Sequence, residues 1–184
     1  MRIVIQPPAE EAISLATAKT HLRIEDGELD SGGEALLLAA IEAVRQMAEH
    51  ELIRPLLPQT CMVRADSLTA QLRLWNDVTS VTNVEYRDGN GEEQQFPLDR
   101  CSIRDAGTLV LRGDLPKDAT SVRVTFQCGA WAEPAAVPRS VVQWMLLQLG
   151  TLSQVRQSVT YGQTFAVPGP FVGRLLDPCR LVEI

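Results

Sequence analysis

Apolar positions along the chain follow two different rhythms. In the first stretch Leu15, Ala18 and Leu22 recur at helical spacing, behind a Ser14 suited to cap the first turn and an Ile13 placed to staple against Ala18. This predicts a helix ending near Ile24, where Glu25-Asp26-Gly27-Glu28 opens a loop. Residues before it form a short extended start, set apart by Pro7-Pro8. A longer helix begins at Ser31-Gly32-Gly33-Glu34, which fits a capping box in which Ser31 bonds the Glu34 amide and Glu34 reaches back. Leu37, Ile41, Val44, Ala48 and Leu52 follow at helical spacing, Leu38 and Met47 widen the stripe, and Pro55 and Pro58 end it. A stripe that wide predicts a helix packed on more than one neighbour.

From residue 59 to 128 the rhythm shortens. Thr60–Val63, Leu72–Trp75, Val81–Tyr86, Cys101–Ile103, Leu109–Leu111 and Val122–Phe126 are short β-branched or alternating runs, which predicts about six strands. Asp88-Gly89-Asn90-Gly91 marks a hairpin turn, and Asp105-Ala106-Gly107 and Arg112-Gly113-Asp114 mark further turns. In the last run Val122, Val124 and Phe126 share one face, with Arg123 and Thr125 on the other. A third helix is predicted from Pro138 to about Gln157, with Val142, Met145, Leu149 and Leu152 on one face, Val141 and Trp144 flanking it, and Gly150 inside it. The tail from Ser158 to Ile184 is broken repeatedly by glycine and proline, yet it carries Tyr161, Phe165, Phe171, Leu175 and Leu176. So many large apolar groups must dock, either on their own domain or also on a neighbouring subunit.

The expected fold class is therefore α+β. A helical core of two N-terminal helices and one long C-terminal helix takes residues 1–58 and 129–184. An antiparallel β module is inserted at 59–128, and an extended C-terminal tail follows the last helix.

Composition narrows the function. The 184 residues are 45% hydrophobic and 22% charged, a profile that needs no disulfide or metal staple. The net charge of −6 argues against a surface that clamps nucleic acid throughout, though not against a local basic patch. That charge is uneven: residues 1–60 hold 5 basic and 10 acidic side chains, residues 131–184 hold 4 and 3. An acidic end and a slightly basic end suit copies that join head to tail. The longest apolar run, Ala35 to Ile41, is far shorter than a membrane span, and no signal-peptide core opens the chain. Cys61, Cys101, Cys128 and Cys179 form no Cys-x-x-Cys and are expected as free thiols.

Candidate chemistry is sparse. His21 and His50 match no zinc spacing, and no nucleophile elbow or Walker loop is present, so no catalytic, cofactor-binding or metal-binding residue is assigned. The alternating acids Asp26, Glu28 and Asp30 fail the calcium-loop pattern, because Ser31 and Leu37 stand where glycine and glutamate are required. Together Glu25, Asp26, Glu28, Asp30 and Glu34 read either as a solvated acidic loop or as an acidic wall past which DNA slides without sticking.

The order of short motifs resembles the tailed-phage head–tail connector (adaptor) proteins, in particular the larger members with a β insertion. The resemblance lies in Ile13-Ser14-Leu15-Ala16-Thr17-Ala18-Lys19-Thr20-His21-Leu22-Arg23-Ile24 before an acidic loop, with Ala12 where a proline is usual. It continues in Arg54-Pro55-Leu56-Leu57-Pro58-Gln59-Thr60 and in Tyr86-Arg87-Asp88-Gly89-Asn90-Gly91. It extends to Val124-Thr125-Phe126-Gln127-Cys128-Gly129 and to Val167-Pro168 through Leu175-Leu176-Asp177-Pro178-Cys179-Arg180. It implies a structural virion protein without cofactor, assembled in the bacterial host cytoplasm, whose copies form a closed ring below the portal protein. That ring would dock the next tail-completion protein and extend the channel through which DNA passes without tight binding. Tyr161, Phe165, Phe171, Leu175, Leu176 and Arg180 are then the candidate subunit-interface tail. Another small head- or tail-completion protein, or a hydrolase, are the competing readings.

Overall fold

The computed structural model describes residues 2–25, 27–156 and 172–181, with side chains of the last helix described to residue 153. Its contacts divide the chain into two compact units, one of residues 1–9 and 57–132, the other of residues 10–56 and 133–184. The described residues are α+β, as the hydrophobic pattern predicts.

The first unit holds eight strands, two more than the sequence runs reveal. They are β1 (Arg2–Gln6), β2 (Gln59–Ser67), β3 (Gln71–Arg73), β4 (Val78–Arg87), β5 (Glu93–Gln95), β6 (Cys101–Arg104), β7 (Thr108–Leu111) and β8 (Thr120–Cys128). A five-stranded sheet runs β1-β2-β8-β4-β5 and a three-stranded sheet β3-β7-β6, with every pairing antiparallel. The extended start is thus an edge strand of the β unit, not part of the helical core in which the sequence pattern placed it. Its pairing to β2 needs long-range contact that no local signal encodes.

Strand β8 is central, with β2 on one side and β4 on the other, and Val124 sits across from Val63 and Val84. Val122, Val124 and Phe126 are fully buried on one face, as alternation requires. Leu109 and Leu111 of the smaller sheet join them in one apolar core with Leu68, Leu74, Trp75 and Phe96. On the opposite face Arg123 donates to Glu85 at 3.0 Å and to Glu93 at 2.9 Å, tying three strands together. The Asp88 turn joins β4 to β5 as expected: its carboxylate accepts from the Asn90 and Glu92 amides at 2.9 and 3.0 Å. The Gln94 amide and these backbone donors hold its carboxyl below the usual aspartate value.

The second unit holds α1 (Leu15–Leu22), α2 (Ser31–Leu52) and α3 (Arg139–Arg156). Ser14 caps α1, accepting the Thr17 amide at 3.1 Å, and Ile13 and Ala18 are both buried. Arg23 takes the left-handed conformation at φ 57°, which ends α1 just before Ile24. On α2 the series Leu37, Ile41, Val44, Ala48 and Leu52 is buried, but Leu38 and Met47 are not. On α3 the buried face is turned by one residue from the expected one. Val141, Trp144, Met145 and Leu149 are buried, Val142 is half-buried, and Leu152 is exposed.

A charged residue organises this unit. The Arg45 side chain, only 2% exposed, donates from Nε to both carboxylate oxygens of Glu11 at 2.8 and 3.1 Å, and from Nη1 to Glu49 at 3.1 Å. The other Glu49 oxygen accepts the Leu56 amide at 3.0 Å. Burial pushes the Glu11 carboxyl above its ordinary value of 4.5, with Arg45 opposing. Between 4.5 and that raised value the unfolded chain has lost a proton that the folded chain keeps, so this group's contribution to stability falls as pH rises through the window.

Two outcomes follow. Arg45→Ala, which leaves Glu49 buried and uncompensated, should lose about 3 to 5 kcal/mol in urea unfolding; a loss below about 1 kcal/mol would contradict the network. In Arg45→Met the Glu11 carboxyl, followed by NMR, should titrate at a higher pH than in the parent chain, because the opposing cation is gone.

Candidate assembly surfaces

The acidic turn between α1 and α2 is largely absorbed into local structure. Asp30, not Ser31, is the N-cap of α2, and its carboxylate accepts the Gly33 amide at 2.7 Å. A carboxylate at a helix N-terminus is a charge-assisted acceptor and outcompetes the neighbouring hydroxyl. Glu34 does not close a capping box. It pairs with Lys19 of α1 instead and fastens the two helices. Glu28 accepts the Glu25 amide at 2.9 Å and closes the loop. Glu25 and Glu28 are exposed, and Asp26 lies outside the described residues.

The candidate tail divides as well. Tyr161, Phe165 and Phe171 lie outside the described residues. Leu175 is half-buried, while Leu176 is fully buried. Arg180 donates to the Glu51 carbonyl at 3.1 Å and to its carboxylate at 3.3 Å. Arg54 donates to the Cys179 carbonyl, and the Leu181 amide to the Leu52 carbonyl, at 3.3 Å each. Leu176 and Arg180 are therefore engaged within their own chain, at the C-terminal end of α2, where the free carbonyls of a helix end need donors.

Among the described residues, groups capable of chemistry do not converge. His21 and His50 lie exposed on α1 and α2, and no group of three His, Cys, Asp or Glu among the described residues could hold a metal. The four cysteines form no disulfide, and the buried Cys61 and Cys128 sit in the β core with sulfurs 3.7 Å apart. Burial, with the Asp99 charge adding to it, raises the Cys101 thiol above its ordinary value. A groove of about 530 Å³ in the β unit is lined by Gln6, Pro7, Gln59, Thr79, Gln127 and Gly129 among others, and carries no acid, base or histidine.

What the sequence pattern assigned wrongly is the outer side of α2. Leu38 and Met47, placed on the buried stripe, are 47% and 40% exposed, as is Leu36 at 51%, which the pattern did not assign. A second apolar series beside the buried one was the available signal; the pattern merged the two into one broad stripe.

Neither a family model nor a curated protein sequence matches the chain. Solved structures do. A chain in the virion of a native gene transfer agent particle matches with TM-score 0.73 and 18% identity, over 100% of this chain and 97% of that one. A chain in the neck of an empty gene transfer agent particle, computed with C6 symmetry, matches with TM-score 0.72 and 22% identity over the same shares. One in the neck of the native particle, computed with C12 symmetry, gives 0.65 and 20%, again over 100% and 97%. This chain shares their fold. It does so along its full length, helical and β units alike.

Capping distinguishes the two readings of the α2 start. Asp30→Ala should cost about 1 kcal/mol of stability, whereas Ser31→Ala should change it by a few tenths. Thermal unfolding of the two variants checks the assignment, and the reverse order would restore Ser31 as the cap.

Proposed function

We propose that this protein is a structural component of a phage-like particle, a head–tail connector whose copies form a closed ring below the portal protein. In this role the ring extends the DNA channel and presents a docking surface to the next tail-completion protein. The chain has no catalytic task, and DNA passes it without being held. The observation that carries this reading is the full-length likeness of fold to chains in gene transfer agent virion and neck structures. Two features of the molecule agree with it. Among the described residues the groups that could run acid–base or nucleophilic chemistry are dispersed or buried, and large apolar side chains of α2 are exposed. Of the candidate acids, the exposed Glu25 and Glu28 are the ones left to repel a passing polyanion, since Asp30 and Glu34 hold the helices.

Electron microscopy of particles made with and without the protein tests the reading. A ring of this chain between portal and tail is expected, and particles lacking it should accumulate as heads separated from complete tails. Finding the protein absent from particles, or located away from the portal–tail junction, would overturn it.

A further inference from the structure

The three-stranded sheet of the β unit has two unlike faces. Leu72, Ile103, Leu109 and Leu111 pack into the core. Alternation sends Gln71 and Arg73 of β3, Thr108 and Val110 of β7, and Ser102 and Arg104 of β6 to the other side. Continuing the β6–β7 register by one pair sets Arg100 opposite Arg112, and the Arg112 amide donates to the Arg100 carbonyl at 3.0 Å. Arg73, Arg100, Arg104 and Arg112 therefore belong to one outer face, and all four are exposed. Between them stand two hydroxyls, a carboxamide and the half-buried Val110.

Charge identifies the partner. Among the described residues Asp105 is the one acid in an ion pair with any of these arginines, 3.3 Å from Arg104 Nε. Arg104 also donates to the Gln71 carboxamide at 2.7 Å, and Arg73 to that of Asn76, neither of which cancels a charge. Asp99 and Asp114 are near Arg100 and Arg112 in sequence but pair with neither. The Arg100 side chain leans toward the strand that carries Arg112: its Nη1 lies 3.6 Å from where a Cβ on Gly113 would stand. Like charges set opposite each other on neighbouring strands repel, and an anion between them relieves that repulsion. The other two arginines flank Thr108, about 10 Å apart across two strand spacings. Four residues along β7, about 13 Å, separate the two arginine rows.

We infer that this face of the β unit meets the phosphate backbone of duplex DNA. The inference rests on the connector reading, in which DNA passes the chain, and names the surface that touches it. A duplex carries one charge per about 1.7 Å of its axis, so a face of this length reaches several phosphates. Arginine, serine, threonine and glutamine are the donors that phosphate oxygens take, arginine as a two-pronged one. A protein partner would instead seat apolar anchors, and here Val110 is the one apolar side chain. A contact of a few ion pairs without base reading is weakened by salt and lets the duplex slide, so DNA touches the face without being held.

Fluorescence anisotropy of the full chain with a short labelled DNA duplex tests this. Binding is expected at low salt, with a log–log salt slope of about −3 to −4 for four phosphate contacts. Arg100→Gln with Arg112→Gln should weaken binding about tenfold or more and make the slope shallower by about two, with an unchanged circular dichroism spectrum. Arg112→Gln alone should change the slope by about one. Arg87→Gln, which removes an exposed arginine paired with Glu93, should alter neither quantity. No binding at low salt, unchanged binding by the Arg100 and Arg112 variants, or an equal loss in Arg87→Gln would overturn the inference. So would displacement of the DNA by polyglutamate as effective as by unlabelled duplex, which would give the face to an acidic protein. Microscopy of particles separates the two readings. A ring at the portal–tail junction without DNA binding removes this inference alone, and DNA binding without such a ring removes the connector reading.

Discussion

A guanidinium almost out of reach of water has to be paired on every side, and Arg45 meets that demand by reaching to both ends of the helical segment. Glu11 follows the point where the chain enters the helical unit, and Leu56 is the residue before it leaves. Arg45 holds the first directly and the second through Glu49. Breaking this network costs far more than forming it gains, because any member removed leaves another charge buried alone. It therefore works less as a source of stability than as a device that fixes where the segment begins and ends relative to α2. Within that frame α1 is closed by the Lys19–Glu34 pair, and the C-terminal segment docks on the far end of α2 through Leu176 and Arg180.

In the β unit the corresponding constraint is β8. As the central strand it must bury one face completely, and Val122, Val124 and Phe126 do so. Its other face carries Arg123, which pairs with acids on β4 and β5 and so reads out the register of both. Among the described residues no group of three His, Cys, Asp or Glu is placed to hold a metal ion. Among them the helical unit exposes Leu36, Leu38 and Met47 on α2 and the acids Glu25 and Glu28 in the turn before it.

Much of this was legible from residue order. Alternation in Val122–Phe126 predicted which side of β8 is buried, and Ser14 with Ile13 predicted the start of α1, because both signals act over a few residues. The Asp88–Gly91 turn was equally local. By contrast β1 was invisible as a strand, since Arg2–Gln6 becomes one only by pairing with β2 more than fifty residues away. The cap of α2 was misread by one residue because Asp30 and Ser31 are both good caps, and the choice turned on Glu34, which left the helix start for Lys19. The candidate tail looked alike along its length, yet Leu176 is fully buried and Arg180 is tied to Glu51 in the same chain.

The sequence by itself determined the α+β class, the three helices, six of the eight strands, the buried series on α2 and the scarcity of reactive motifs, because each depends on spacing and residue type alone. Only the tertiary structure decided that Arg45 is a buried tie and not a surface charge, and that α2 has a second, uncovered seam. Periodicity records that a helix has apolar sides; it does not record which side another part of the chain will reach. That depends on where the neighbouring helices lie, and those positions are set by contacts between residues far apart in the chain.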